Sequence, residues 1–299
     1  MSVKNVNYQD LLQPIFNFYP VEVEEVCFLE NTNGKTRWLV KTDQGEYCLK
    51  QQKIRPERML FIAGAHYHLQ EKKFPIANIL LTKNGGLCVS AEDHAYMMIE
   101  EKSGVPFNYY NKDDLFEAMK FIGELHDASK GYFPHKESKK RERLGKWHKL
   151  YKWKLQELEG NRLLAQTTSN DPFSTLFLQH VDEILESGKQ SLQELDDGPY
   201  QHWMEQVKSD GGFCQQDFAF SRLIEVEKHP FLRELHSITI DLPSRDLRIL
   251  LNKVMRKLGV WDTNLAVEML KSYDLTNQLT EEQYKVLWAD IRFPYSICS

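Results

Sequence analysis

The chain lacks a glycine-rich turn between its first two strand-like runs. What stands there is Glu30-Asn-Thr-Asn-Gly34-Lys35, with a single glycine. Backbone N–H groups approach a phosphate closely only where no Cβ intervenes, so this stretch reads as a plain hairpin turn. Cysteine is scarce: Cys27, Cys48, Cys88, Cys214 and Cys298 are scattered, and none forms a C-x-x-C pair. That excludes a disulfide framework and points to reduced thiols inside a cell. No apolar run approaches the roughly 20 residues that cross a bilayer. Met1–Asp10 has no apolar core, so no secretion signal is expected. Positive charge is not in excess: the formal net charge is -5, which argues against a nucleic-acid binder. Internal repeats and low-complexity segments are missing too. What remains is 299 residues, 41% hydrophobic and 27% charged, the mixture of a globular protein with one large domain or two lobes.

The first hundred or so residues read as paired strands. Val26–Leu29 and Thr36–Lys41 flank Asn33-Gly34, a strong hairpin signal because both residues tolerate positive φ. Asp43-Gln-Gly45 leads into Tyr47-Cys-Leu-Lys50. A helix is expected from about Pro56 to Leu69, with Met59, Ile62, Ala63, His66 and Leu69 on one face. Strands are expected again at Ile76–Leu81, Leu87–Ser90 and Tyr96–Glu100. From about Ser103 the pattern turns helical, at Asp113–Asp127, Lys146–Leu158, Asp171–Ser187, Leu192–Lys208, Arg245–Leu258, Trp261–Tyr273 and Thr280–Ile291. This is an α+β, bilobal plan: a strand-rich N-lobe over 1–102 and a helical C-lobe over 103–299. Phe293–Ser299 supplies no clear closing element, so a longer chain is expected.

Two segments carry the chemistry. Phe213-Cys-Gln-Gln-Asp217-Phe-Ala-Phe-Ser-Arg222 has the layout of a phosphotransferase catalytic loop, and Arg233-Glu-Leu-His236 precedes the run Asp241–Arg248 where a metal loop belongs. Asp217 stands where an aspartate accepts the proton of an attacking hydroxyl. Gln215 occupies the usual histidine position. Five residues after Asp217, a neutral metal ligand is replaced by Arg222, which is permanently cationic and has no acceptor. Arg222 is thus a candidate to take the ion's place and neutralise nearby carboxylates; the plainer alternative is an ordinary loop and strand. Glu234 stands where the main metal-binding aspartate is expected and is one methylene longer, a shift that matters for octahedral magnesium. His236 is a poor ligand for so hard a cation. Lys50, ending the third strand, is placed to reach phosphates as a point charge, or is an exposed strand-end lysine. Glu57 is a candidate partner for Lys50, or a first-turn dipole residue. His126 reads as a buried structural histidine, and Asp246 as a brace for the catalytic-type loop. Lys136–Lys154 holds nine basic residues against Glu137 and Glu142. With Leu144, Trp147, Tyr151, Leu155 and Leu158 as an apolar face, it is either a docked helix with a solvated back or a surface for an acidic partner.

Taken with Phe61-Ile-Ala, Tyr96-Met-Met-Ile-Glu-Glu101, Leu125-His126, Gly145-Lys-Trp147, Asp241-Leu-Pro-Ser-Arg-Asp-Leu-Arg248 and Phe293-Pro294, these motifs resemble the CotS-type, YutH-like spore coat proteins of bacilli. That family is similar to aminoglycoside and choline phosphotransferases of the protein-kinase-like fold. The resemblance implies a bilobal kinase-like architecture in which Lys50 is the phosphate lysine, Glu100 and Glu101 form the hinge, Asp217 is the catalytic aspartate and Glu234 the metal position. It also implies synthesis in the mother cell, assembly into the spore coat, and other coat proteins as partners, with no nucleic acid or membrane involved. Set against that pattern, Gln215, Arg222, Glu234 and His236 depart at one metal site. The expectation is a pseudokinase-like coat protein acting through protein binding. The alternative is an active small-molecule phosphotransferase using ATP and magnesium, with Asp217 as base.

Overall fold

A computed structural model describes residues 8–32, 34–168, 171–216, 218, 220–295 and 297. Strands β1 (Val23–Thr32), β2 (Lys35–Thr42), β3 (Gly45–Gln52), β4 (Val89–Ala91) and β5 (His94–Glu100) form an antiparallel sheet ordered β1-β2-β3-β5-β4. Burial alternates strictly along β2, as a strand with two different faces requires. Trp38 and Val40 face one side and pack with Leu49 and Met98 under a short helix, α1 (Tyr8–Phe16). Lys35 and Arg37 therefore face the other side, where Arg37 is paired in register with Lys50 of β3. Helix α2 (Pro56–Glu71) covers that second face with Met59 and Ala63 against Cys48, Met97 and Ile99. All five residues of its expected apolar face are buried.

The helical part contains α3 (Lys112–Ser129), α4 (Trp147–Thr167), α5 (Pro172–Glu194), α6 (Pro199–Asp210), α7 (Ser244–Leu258), α8 (Thr263–Asp274) and α9 (Glu281–Arg292). A small sheet of β6 (Val105–Pro106), β7 (Leu223–Val226) and β8 (His229–Leu232) sits beside them. Among the described residues, no helix is long and apolar enough to cross a membrane.

Several expectations need correction. Ile76–Leu81 is not a strand. Its amides are taken singly, Ala77 N by Leu232 O, Ile79 N by the Gln70 side chain and Leu80 N by Met98 O, so the segment ties the small sheet to the large one instead of extending either. Helix α1 was not anticipated, because Pro14 interrupts a pattern only nine residues long. Helix α4 runs past Leu158 to bury Ala165, and α5 continues to Glu194. The break after it falls at Gly198, at φ 98, with Pro199 opening α6.

The C-terminal helices are locked by one buried carboxylate. Asp290, fully buried on α9, accepts hydrogen bonds from Tyr151 (3.0 Å), Ser244 (3.0 Å) and Tyr295 (3.1 Å), and pairs with Arg248 at 3.1 Å. The motif Asp241–Arg248 is thereby tied to α4 and to the segment after α9. We expect Asp290→Ala to lower unfolding free energy by about 3–5 kcal/mol, since it leaves a buried guanidinium uncompensated. Asp290→Asn should lose less; equal chemical-denaturation midpoints for Asp290→Ala and the unmodified protein would remove this lock from the account.

Candidate functional site

The site is built where β3 meets the segment that follows β8. Lys50 is 3% exposed and Glu234 is 4% exposed, and their ammonium and carboxylate form a close ion pair across the two lobes. Lys50 also donates to Leu235 O at 3.4 Å. Glu57 is not its partner. It lies exposed in the first turn of α2, and its carbonyl accepts from Lys139 N. From α2, His66 feels the charges of both Lys50 and Glu234; it is completely buried and hydrogen-bonded to Ala77 O at 2.6 Å. Burial, helped by the charge of Lys50, lowers its pKa to about 4.

Further cations approach Glu234. Arg222 lies in the turn Phe220–Arg222, and its Nε is 3.7 Å from Glu234 Oε1. His236 places Nδ1 3.8 Å from the same oxygen, while its Nε2 accepts a hydrogen bond from the Lys35 ammonium. That bond fixes the imidazole as neutral with its proton on Nδ1. Glu234 pulls the His236 pKa up, but burial and the charges of Arg222, Lys50 and Lys35 outweigh it, and the net shift is downward. For Glu234, burial alone would raise the carboxyl; Lys50 first, then His236 and Arg37, hold it well below the usual range.

The connection between the lobes carries the two expected hinge glutamates in opposite orientations. Glu100 turns away from the cleft: its amide donates to Asn78 O and its carboxylate accepts from the Asn78 side chain and pairs with Lys102. Glu101 turns inward, 3.7 Å from both Arg37 and Arg233. Burial raises its carboxyl despite those two arginines. Arg233 also donates to the hinge carbonyl of Lys102 at 3.2 Å, and the Glu101 amide is taken by Glu46 O. Arg37 spans the floor, reaching Cys48 Sγ (3.3 Å), Glu30 (3.1 Å) and Glu101.

Asp217 lies outside the described residues. Its frame is described up to Gln216. Asp246 accepts from Gln215 N (2.6 Å) and Gln216 N (2.9 Å) and from His126 (3.2 Å), which is held in turn by Tyr273. Cys214 bonds Asp241 O and Leu242 O, so the buried trio His126, Cys214 and Asp246 is a brace whose groups are already engaged. The Gln215 side chain, 1% exposed, finds no hydrogen-bond partner among the described residues. Lys35, Arg37 and Arg233 were not singled out from the sequence. The period-2 alternation of β2 was the available signal for the first two, since it sets both on the face of Lys50.

A two-lobed scaffold with a buried strand lysine paired to the loop after a small sheet is that of the kinase-like phosphotransferases. The solved structures agree on the fold. An aminoglycoside phosphotransferase from Alicyclobacillus acidocaldarius matches with a TM-score of 0.79 at 20% identity, over 96% of this chain and 83% of that one. Amicoumacin kinase hAmiN, solved with AMP-PNP, Ca2+ and Ami, matches with a TM-score of 0.62 at 16% identity, over 98% and 86%. The family of spore coat putative kinase YutH matches residues 13–298, and the chain belongs to it. Spore coat protein S of Bacillus subtilis (strain 168) is 50% identical over 291 residues, 97% of this chain and 83% of that protein.

Glu234→Ala should cost about 3–5 kcal/mol by leaving the buried Lys50 uncompensated, whereas Lys50→Met with Glu234→Leu should recover most of it. A double variant no more stable than Glu234→Ala would sink the pairing as the cause. The sign with pH follows from the lowered Glu234 carboxyl: its contribution is complete above about pH 5 and is lost as pH falls through the folded pKa. The unmodified protein should therefore lose stability in acid more steeply than the double variant in equilibrium denaturation.

Proposed function

We propose that this chain is a kinase-fold component of the spore coat that does not carry out magnesium–ATP chemistry and acts by binding other coat proteins after synthesis in the mother cell. The observation that carries the reading is the state of Glu234. The only carboxylate at the expected metal position in the described residues is buried, ion-paired to Lys50 and approached by Arg222. Magnesium requires an open, near-octahedral set of oxygens, and a guanidinium in that set repels it. The rest of the cleft does not fit a nucleotide either. The Lys102 carbonyl and the Glu101 amide, which a purine would use, are already bonded. Arg37 and Arg233 fill the hinge end, and no described residue lining the cleft is apolar. A purine face gains little from such a surface.

A protein-binding role is supported by a second cationic surface below the cleft. The segment Arg141–Arg143 runs along Ile238–Ile240, joined by Ile240 N to Arg141 O and Arg143 N to Ile240 O. Arg58 reaches the same strip through Ile238 O at 3.0 Å, and Arg245 enters it at the start of α7. Burial and mutual repulsion lower the pKa of Arg58 and Arg141, and Asp241 is the carboxylate paired with Arg245 at 3.0 Å. The basic tract thus gains arginines from two other elements, while its apolar residues Leu144, Trp147, Tyr151, Leu155 and Leu158 are buried. An acidic segment of a coat protein fits this face.

Thermal unfolding with ATP, Mg2+ and both together tests the reading. A bound ligand at 100 times its Kd adds roughly 2.7 kcal/mol. No magnesium-dependent shift and no phosphate release are expected. A magnesium-dependent shift accompanied by phosphate release would overturn it in favour of an active phosphotransferase.

A further inference from the structure

The hairpin of α4 and α5 carries an apolar surface that the described residues do not cover. Trp153, Leu163, Leu164, Phe173 and Leu176 are each more than half exposed. Phe173, Phe177, His180 and Ile184 follow one another along α5 at steps of four and three, so they share a face distinct from the buried one of Val181, Leu185 and Gly188. With Leu164 and Ala165 of α4 they line a groove of about 880 Å3.

The same side of α4 carries a knob that matches this groove. Trp153, Gly160, Leu164 and Thr168 recur at steps of seven and four, which sets them on one side of the helix. Eleven residues put Trp153 about 16 Å from Leu164 along the axis. Gly160 lies between them, with open space where its Cβ would stand. Glycine in a helix interior is less favourable than alanine, and no neighbour within the chain requires it here; it leaves the backbone bare midway between the tryptophan and the groove. Charge is segregated along the hairpin as well. Lys146, Lys149, Lys152 and Lys154 occupy the start of α4 with no acidic residue among them. From Gln156 to Gly188 six acidic residues, Glu157, Glu159, Asp171, Asp182, Glu183 and Glu186, stand against Arg162 alone. Arg162 is itself held by Glu159 and Asp182.

We propose that two copies of this chain pair through these hairpins, antiparallel about a two-fold axis between Trp153 and Leu164, each seating Trp153 in the apolar groove of its mate. Knob and groove lie on one side of one helix, so a single two-fold rotation fills both grooves and closes the assembly as a dimer. The charges choose the orientation. Antiparallel packing lays the lysine end of one α4 along the acidic half of the other, whereas parallel packing would set like charges together. Trp153 supplies a large, stiff anchor, and bare Gly160 admits the mate's helix closely at the axis. This pairing is independent of the state of Glu234.

Sedimentation equilibrium of the full chain over a wide concentration range is the test. A reversible rise to twice the mass of the chain, and no further, is expected. Trp153→Ala and Leu176→Glu should each weaken the pair by about 30-fold or more, the loss expected for removing an aromatic anchor or its pocket. Mixed together, the two variants should associate more tightly than either does alone, because one intact tryptophan then meets one intact groove. Both positions are exposed, so far-UV circular dichroism should not change; Lys149→Glu, which should weaken the pair at low salt, gives the same decision if either variant misfolds. A monomer at every concentration overturns the proposal. So does a dimer that these substitutions leave unchanged, or a mixture no tighter than its components, since the contact then lies on another face. Assembly that continues past the dimer overturns it too, because a closed pair leaves no groove free.

Discussion

The ion pair between Lys50 and Glu234 is the constraint on which the cleft depends. It joins the central strand of the small lobe to the loop that leaves β8, and both groups are almost fully buried. Such a pair recovers its desolvation cost only with good geometry and further polar contacts. Here the contacts come from Leu235 O, His236, Arg222 and Arg37, so the neighbourhood is organised around one carboxylate. In a magnesium-using enzyme a carboxylate at this place must stay available to the ion. As the counter-charge of a buried lysine, it fixes how the lobes meet and, on the proposed reading, closes the metal position.

That closure explains the distribution of charge around it. Arg222 contributes a cation at the loop where a neutral ligand is expected, and Arg37 and Arg233 converge on Glu101 at the opposite end. With Glu234 already compensated, each added guanidinium leaves the cleft more positive. The same direction of charge continues onto the face formed by Arg58, Arg141, Arg143 and Arg245, which shares the strip Ile238–Ile240 with the loop from Glu234.

Much of the architecture was readable because hydrophobic period reports it directly. The stripe on α2, the hairpin of β1 and β2, and most C-terminal helices follow from spacing alone. Helix limits were less legible where an apolar stripe ran through a weak break, as in α4 and α5. Ile76–Leu81 has strand composition, but its backbone donors are claimed one at a time by different elements, which no local pattern encodes. At the site, Lys50 was visible as a match to a motif, and Gln215, Arg222, Glu234 and His236 as departures from it. Their mutual pairing was not, since residues far apart in sequence must be folded together to show it. Arg37 and Arg233 escaped notice because a lone arginine on a strand or after one is common, and only the shared contact with Glu101 makes them a unit.

The scaffold and the cleft are energetically separable. His126, Cys214, Asp246 and Tyr273 brace the catalytic-type loop from below, and Asp290 locks α7, α4 and the segment after α9 together. None of these groups touches Glu234. A change at that carboxylate would therefore leave the frame's stabilising contacts in place. The unpaired Gln215 amide marks the boundary between the two regions. It sits in the braced loop without a hydrogen-bond partner among the described residues. A buried amide without a hydrogen bond costs about 1–3 kcal/mol.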